Sequence, residues 1–213
     1  SYLRIGSVDT GKMVIYPIED DIDGQGTQLI NWVAEIRDPQ MRMNDWNRAG
    51  RMEDVLAIFG GWTFDWLDVP ALIRSAETSF EYPMVDKDPV DQWSFGRVTL
   101  LGDAAHPMYP RGSNGSAQAM RDARVLADLL AADPQGDPLA LLAAYEASRL
   151  PATSQIVLTN RSTPPDFIIM KADELSGGQP FGHIDELISQ DELRAIARNY
   201  EQVAGFANPQ SQG

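Results

Sequence analysis

The sequence contains no cysteine. Disulfides, thiolate nucleophiles and Cys-based metal sites are therefore excluded, and nothing points to an oxidising compartment. Histidine occurs only twice and is not clustered with carboxylates, so no metal site is expected. Positive charge is scarce: 17 Lys and Arg stand against 31 Asp and Glu, a formal net charge of −14. A surface that negative repels phosphate backbones and anionic lipid heads, which argues against nucleic-acid and membrane partners. No apolar run approaches the ~20 residues of a spanning helix. No basic stretch followed by an apolar run marks a secretory leader, so a cytoplasmic location is expected. What remains is ordinary for a folded protein: 213 residues, 43% hydrophobic, enough for one large or two small domains with a real core.

Residues 2–8 and 12–18 alternate apolar and polar about Asp9-Thr10-Gly11, which predicts a hairpin. Residues 27–37 read as a third strand, with Ile30, Trp32, Ala34 and Ile36 on a clean apolar face. The acidic stretch Glu19–Gly24 reads as a solvated turn. A helix is predicted over 45–59 from the spacing of Met52, Val55, Leu56 and Phe59, stopped by Gly60-Gly61. Asp68 is placed to cap a short helix with Pro70 in its first turn, and 79–85 reads as a strand. Five tryptophans (32, 46, 62, 66 and 93) either pack the core or wall a flat apolar pocket. Further on, Gly96–Gly102 has the β-formers and terminal glycine of a buried parallel strand. Residues 113–132 form a helix with Ala119, Ala123, Leu126 and Leu130 on one face. A second helix runs over 137–160, kinked or split at Pro151. The segment 161–182, with Pro164-Pro165 and Gly177-Gly178, reads as loop, and 184–204 as a last amphipathic helix.

The chemistry concentrates in Val98-Thr-Leu-Leu-Gly-Asp-Ala-Ala-His-Pro-Met-Tyr-Pro-Arg-Gly-Ser-Asn-Gly-Ser-Ala. A strand ending in Gly102 and Asp103 brings a flexible backbone and a carboxylate to the edge where ligands of open α/β sheets bind. The carboxylate can accept hydrogen bonds from the hydroxyls of a sugar-like chain. Pro107 and Pro110 stiffen the following loop, while Gly112 and Gly115 open it. A helix beginning near Ser113–Ser116 aims free N–H groups and positive dipole charge back at the site, a trap for a phosphate or a delocalised ring anion.

Gly102-Asp103-Ala104-Ala105-His106-Pro107, followed by Pro110-x-Gly112-x-x-Gly115 and a helix, closely resembles the second flavin-binding motif of class A FAD-dependent monooxygenases. These are the aromatic hydroxylases related to p-hydroxybenzoate hydroxylase. The stretch Met108–Gly115 looks most like their salicylate and phenazine hydroxylase branch. The resemblance implies a mixed α/β (α+β) fold class: part of an FAD-binding Rossmann-like fold with an antiparallel substrate-domain sheet and C-terminal helices. It places the ribityl hydroxyls of FAD on Asp103, next to Gly102, and the reactive edge of the flavin beside Pro110 and Gly112. It places the N1–O2 edge against the amides of Gly115, Ser116 and Ala117. In such enzymes NAD(P)H reduces the flavin, and one oxygen atom of O2 goes to an electron-rich aromatic or heteroaromatic ring. A small aromatic substrate is the implied partner, and a homodimer is compatible with the reading.

The N-terminal Gly-x-Gly-x-x-Gly unit and the middle Asp-Gly motif of the family are absent, so the chain is expected to be a fragment lacking the unit that binds the ADP half of FAD. Expected divisions are a partial substrate domain at 1–90, the rear of the FAD domain at 91–160, and a C-terminal loop and helix at 161–213. No catalytic side chain is assigned. His106 is expected to be structural and His183 to lie at the surface. No Gly-x-Ser-x-Gly elbow surrounds Ser113 or Ser116, which argues against a hydrolase. Arg111 either pairs with an anion or is solvated. The alternatives are a catalytically silent acidic interaction module and a flavoprotein of the same fold with other oxidoreductase chemistry.

Overall fold

The computed structural model describes residues 2–7, 9–37, 48–162 and 166–205, in two compact units, Ser1–Pro83 and Met84–Gly213. In the first unit, β1 (Leu3–Ser7), β2 (Gly11–Glu19) and β3 (Leu29–Glu35) form an antiparallel sheet in that order. The register sets Met13 opposite Ala34 and Ile15 opposite Trp32. Because side chains alternate along a strand, these four share a face. That face packs with Phe59, Val69 and Ile73, joined by Ile30, Trp32 and Ala34 as the alternation of β3 predicts. Lys12 and Glu35 meet on the opposite face as a buried ion pair of 2.5 Å.

The predicted helix over 45–59 is shorter than expected. Residues 45–47, including Trp46, lie outside the described residues. Arg48–Ala49 is a strand, β4, and the helix, α1, covers Met52–Phe59. Two short strands follow, β5 (Thr63–Phe64) and β6 (Leu67–Asp68), then the helix α2 (Val69–Arg74). Asp68 caps α2 by accepting from the Ala71 amide at 2.9 Å, with Pro70 in the first turn as predicted. The strand expected at 79–85 shrinks to β7 (Phe80–Glu81), which pairs with the two residues of β4 and, among the described residues, with no other strand.

In the second unit, the expected buried parallel strand over 96–102 is instead a hairpin. Ser94–Phe95 (β8) pairs antiparallel with Val98–Thr99 (β9), and Val98 is exposed. A parallel partner has to be delivered by a crossover connection, and none is found among the described residues; a turn through Gly96 at φ +62° supplies the nearest alternative.

Helix α3 (Gly115–Ala132) matches the predicted orientation in part. Leu126 packs against the core and Ala119 is half-buried, but Ala123 and Leu130 are exposed, while Gln118 and Asp122 are fully buried, with Val125 and Leu129 partly covered. Helix α4 (Pro138–Ser162) runs through Pro151 without being split, its buried residues lying on both sides of the proline. The loop predicted over 161–182 contains helix α5 (Phe167–Ser176). Its Gly177 is the left-handed C-cap of that helix, so the glycine pair ends a helix where a loop was expected. Helix α6 (Gln190–Ala204) starts at Ser189, whose hydroxyl accepts from the Glu192 amide, and a separate 3-10 turn covers Ile184–Glu186. His183 is exposed and caps that turn.

Candidate functional site

The segment from β9 to α3 folds as a 3-10 turn at Gly102–Ala104, a second one at Pro110–Gly112, and then α3. Gly102 is buried at φ +60°, a left-handed conformation that disfavours any side chain. A Cβ there would also stand 3.1 Å from that of Ala119. Asp103 is exposed, and its Oδ1 lies 4.0 Å from the position a Cβ on Gly115 would take. The carboxylate therefore stands beside the first residue of α3.

The first intrahelical bond of α3 runs from the Gln118 amide to the Asn114 carbonyl at 2.9 Å. Gly115, Ser116 and Ala117 precede it, so their amides have no acceptor within the helix, and the Asn114 side chain does not cap them. Three N–H groups and the positive end of an 18-residue helix thus open next to the Asp103 carboxylate. An arrangement of this kind can hold a hydroxylated chain by its acceptor and a negative ring by its donors.

Beneath the site lies a buried charged network that the sequence reading missed. Asp122 Oδ1 accepts from Arg149 Nε at 2.7 Å, and its Oδ2 meets His106 Nε2 at 2.6 Å and the Gly102 amide at 3.1 Å. Arg149 also donates to Gln118 Oε1 at 2.8 Å. Burial pushes the Asp122 carboxyl up, but the hydrogen bonds from His106, Arg149 and Gly102 outweigh it and hold it below its ordinary value. The network pins the turn that presents Asp103 to both long helices. Its signal in the sequence was the i, i+4 pair Gln118 and Asp122 in the middle of a helix. His106 is buried in this network and packs near Trp93, with ring centroids 5.6 Å apart, which is the structural role expected of it. Trp93 is core, whereas Trp66 is exposed and stacks on Phe64.

Pro110 is exposed at the loop surface, and Arg111 lies over the Tyr109 ring at 5.4 Å. Gly112 is buried, where a Cβ would meet the Tyr200 hydroxyl at 2.0 Å and Asn160 Oδ1 at 2.6 Å. That glycine has a packing reason of its own, independent of any ligand. The first unit carries a separate open hollow of about 340 Å³ lined by Trp62, Thr63 and Phe64 among others, and no residue named from the motif belongs to it.

The turn, its carboxylate and the uncapped helix set one acceptor beside a group of open donors. Residues 77–160 match the family described as FAD binding domain. Phenazine 1,6-dicarboxylic acid hydroxylase PhzS of Lysobacter antibioticus is 44% identical over 70% of this chain and 37% of its own length. A 3-amino-4-hydroxybenzoate 2-monooxygenase of Streptomyces platensis is 41% identical over 65% of this chain and 34% of its own. The solved structure of a salicylate hydroxylase substrate complex matches 91% of this chain and 48% of that one, with a TM-score of 0.55 and 25% identity. The chain is thus similar to FAD-dependent aromatic hydroxylases in sequence and in fold. It spans little more than a third of the length of these curated relatives.

Proposed function

We propose that this chain forms the flavin-holding part of an FAD-dependent monooxygenase that hydroxylates a small aromatic or heteroaromatic acid with NAD(P)H and O2. The carrying observation is the exposed Asp103 carboxylate beside the three open amides of α3. Those groups suit the ribityl and isoalloxazine portions of FAD, one an acceptor for hydroxyls and the other a donor set for a negative ring edge. FAD, when bound, supplies the redox and oxygen chemistry.

The chain's own residues bind and orient. Asp103 accepts from the ribityl hydroxyls. Gly102 keeps the backbone low enough for close approach. The amides of Gly115, Ser116 and Ala117 face the negative edge, a stabilisation of about 0.3–2 kcal/mol depending on burial. Pro110 and Gly112 fix the loop along the reactive edge. His106, buried with its Nε2 on Asp122, helps hold the Gly102 turn. The relatives' names support an aromatic acid as substrate class. A homodimer and a cytoplasmic location belong to the same proposal.

The test is FAD titration of the whole protein by flavin fluorescence, with Asp103→Ala beside the wild type. Losing hydrogen bonds to a charged acceptor costs about 1.5–3 kcal/mol, so affinity should fall by about ten- to a hundredfold. An unchanged affinity removes Asp103 from the site. NAD(P)H oxidation by the chain joined to an ADP-binding unit should be stimulated by members of a panel of hydroxybenzoic and phenazine carboxylic acids. Absence of stimulation across that panel counts against the hydroxylase.

A further inference from the structure

Asparagine ahead of a helix ordinarily turns its side chain inward and accepts from an amide of the first turn. Asn114 makes no such bond, and its backbone, at φ −128° and ψ 3°, is away from the extended geometry of a capping residue. Its side chain, 3% exposed, reaches to α6 instead. Asn114 Nδ2 donates to the Tyr200 hydroxyl at 2.7 Å. That hydroxyl donates to Asn160 Oδ1 at 2.8 Å, and Asn160 Nδ2 donates to the Tyr109 carbonyl at 3.3 Å.

The far end sets the direction of this relay. A carbonyl only accepts, so Asn160 presents its NH2 to Tyr109 and its oxygen to Tyr200. The single phenolic proton goes to Asn160, and Tyr200 can then only accept from Asn114. Asn114 Oδ1, the atom that would cap the first turn, is left buried without a hydrogen-bond partner. Gly112 leaves the room in which the hydroxyl sits.

We infer that Tyr200 is a positioning residue that holds the Asn114 side chain off the first turn of α3 and so keeps the amides of Gly115, Ser116 and Ala117 open to an anionic ring. The inference rests on the flavin reading above and adds a control element to it. Without the hydroxyl, Asn114 becomes an internal competitor that caps the amides the flavin would take. The docking of α6 does not depend on this one relay, since Gln118 Nε2 and Arg121 Nη1 each donate to the Ala204 carbonyl at 3.0 Å.

Tyr200→Phe, Asn114→Ala and the double variant of the full chain are titrated with FAD by flavin fluorescence, with thermal melts alongside. Tyr200→Phe should bind about fivefold more weakly, the effect of one competing side-chain cap. Asn114→Ala should stay within about twofold of the wild type. The double variant should return to the Asn114→Ala affinity even though it melts lowest. Plain loss of packing gives the opposite order, with the double variant binding weakest, and that order overturns the inference. So does an Asn114→Ala affinity more than about fivefold below wild type, a measurement that needs no folded Tyr200 variant. A wild type that binds neither FAD nor FMN, which lacks the adenylate half, removes the flavin reading together with this inference. Wild-type binding without rescue in the double variant removes the inference alone.

Discussion

Asp122 is fully buried and holds Arg149, His106 and the Gly102 amide at once. Asp122→Ala leaves the buried Arg149 guanidinium facing the neutral Gln118 and takes the acceptor from the Gly102 amide. Removing one member of a buried pair costs about 3–5 kcal/mol, because the remaining charge stays out of water. In a unit of this size each kcal/mol is about 3–6 °C of melting temperature, so a fall of about 9–30 °C is expected. Urea unfolding gives the free energy directly. A loss below about 1 kcal/mol refutes the view that Asp122 is the hub of the fold beneath the site. Asp122→Leu with Arg149→Met should recover much of the loss, since no charge is left unpaired; a double variant worse than the sum of its singles speaks against charge pairing as the cause. The pH dependence has a definite sign. The Asp122 carboxyl titrates below its ordinary value in the folded state. Its stabilisation is therefore complete above the unfolded-state value and is lost as pH falls through the lower folded one. Below about pH 4 the wild type should lose stability more steeply than Asp122→Ala.

Gly112→Ala drives a methyl to within 2.0 Å of the Tyr200 hydroxyl. Overpacking of this kind costs about 1–3 kcal/mol, and hydrogen exchange should quicken in α6; unchanged exchange over 190–204 would show that the loop and helix are not coupled. Tyr145 is fully buried, donates to the Leu100 carbonyl at 3.2 Å, and has its phenol pushed up to about 12 by burial and then by the Asp122 charge. The tyrosinate absorbance lost in Tyr145→Phe should therefore belong to a step more alkaline than that of an ordinary tyrosine. Its contribution to stability is whole below about pH 10 and disappears as pH rises through about 12. A Tyr145 that ionises together with the exposed tyrosines contradicts this.

Much of the fold was legible because it follows local rules. The β1–β2 hairpin, the apolar face of β3 and the Asp68 cap each depend on neighbours within a few residues. The failures share one cause. The orientation of α3 was read from its small and apolar residues, but its most buried positions are the polar Gln118 and Asp122, which find their partners on α4 and α6, far along the chain. Residues 96–102 have the composition of a parallel strand, yet pairing depends on which strand is at hand. The glycine pair at 177–178 marks a boundary, and whether a boundary closes a helix or a loop depends on what packs before it.

For the site, the sequence alone determined the order of parts: glycine, carboxylate, stiff loop, helix. Those roles come from residue type and short spacing, so the motif around Asp103 could be read without coordinates. Only the tertiary structure decided why the parts stay in place. Asp122 binds the turn at Gly102 from twenty positions away, and Tyr200 draws the Asn114 side chain off the helix end from eighty-six. Such pairings depend on how helices pack, and no local pattern in the chain encodes which distant hydroxyl or guanidinium will arrive.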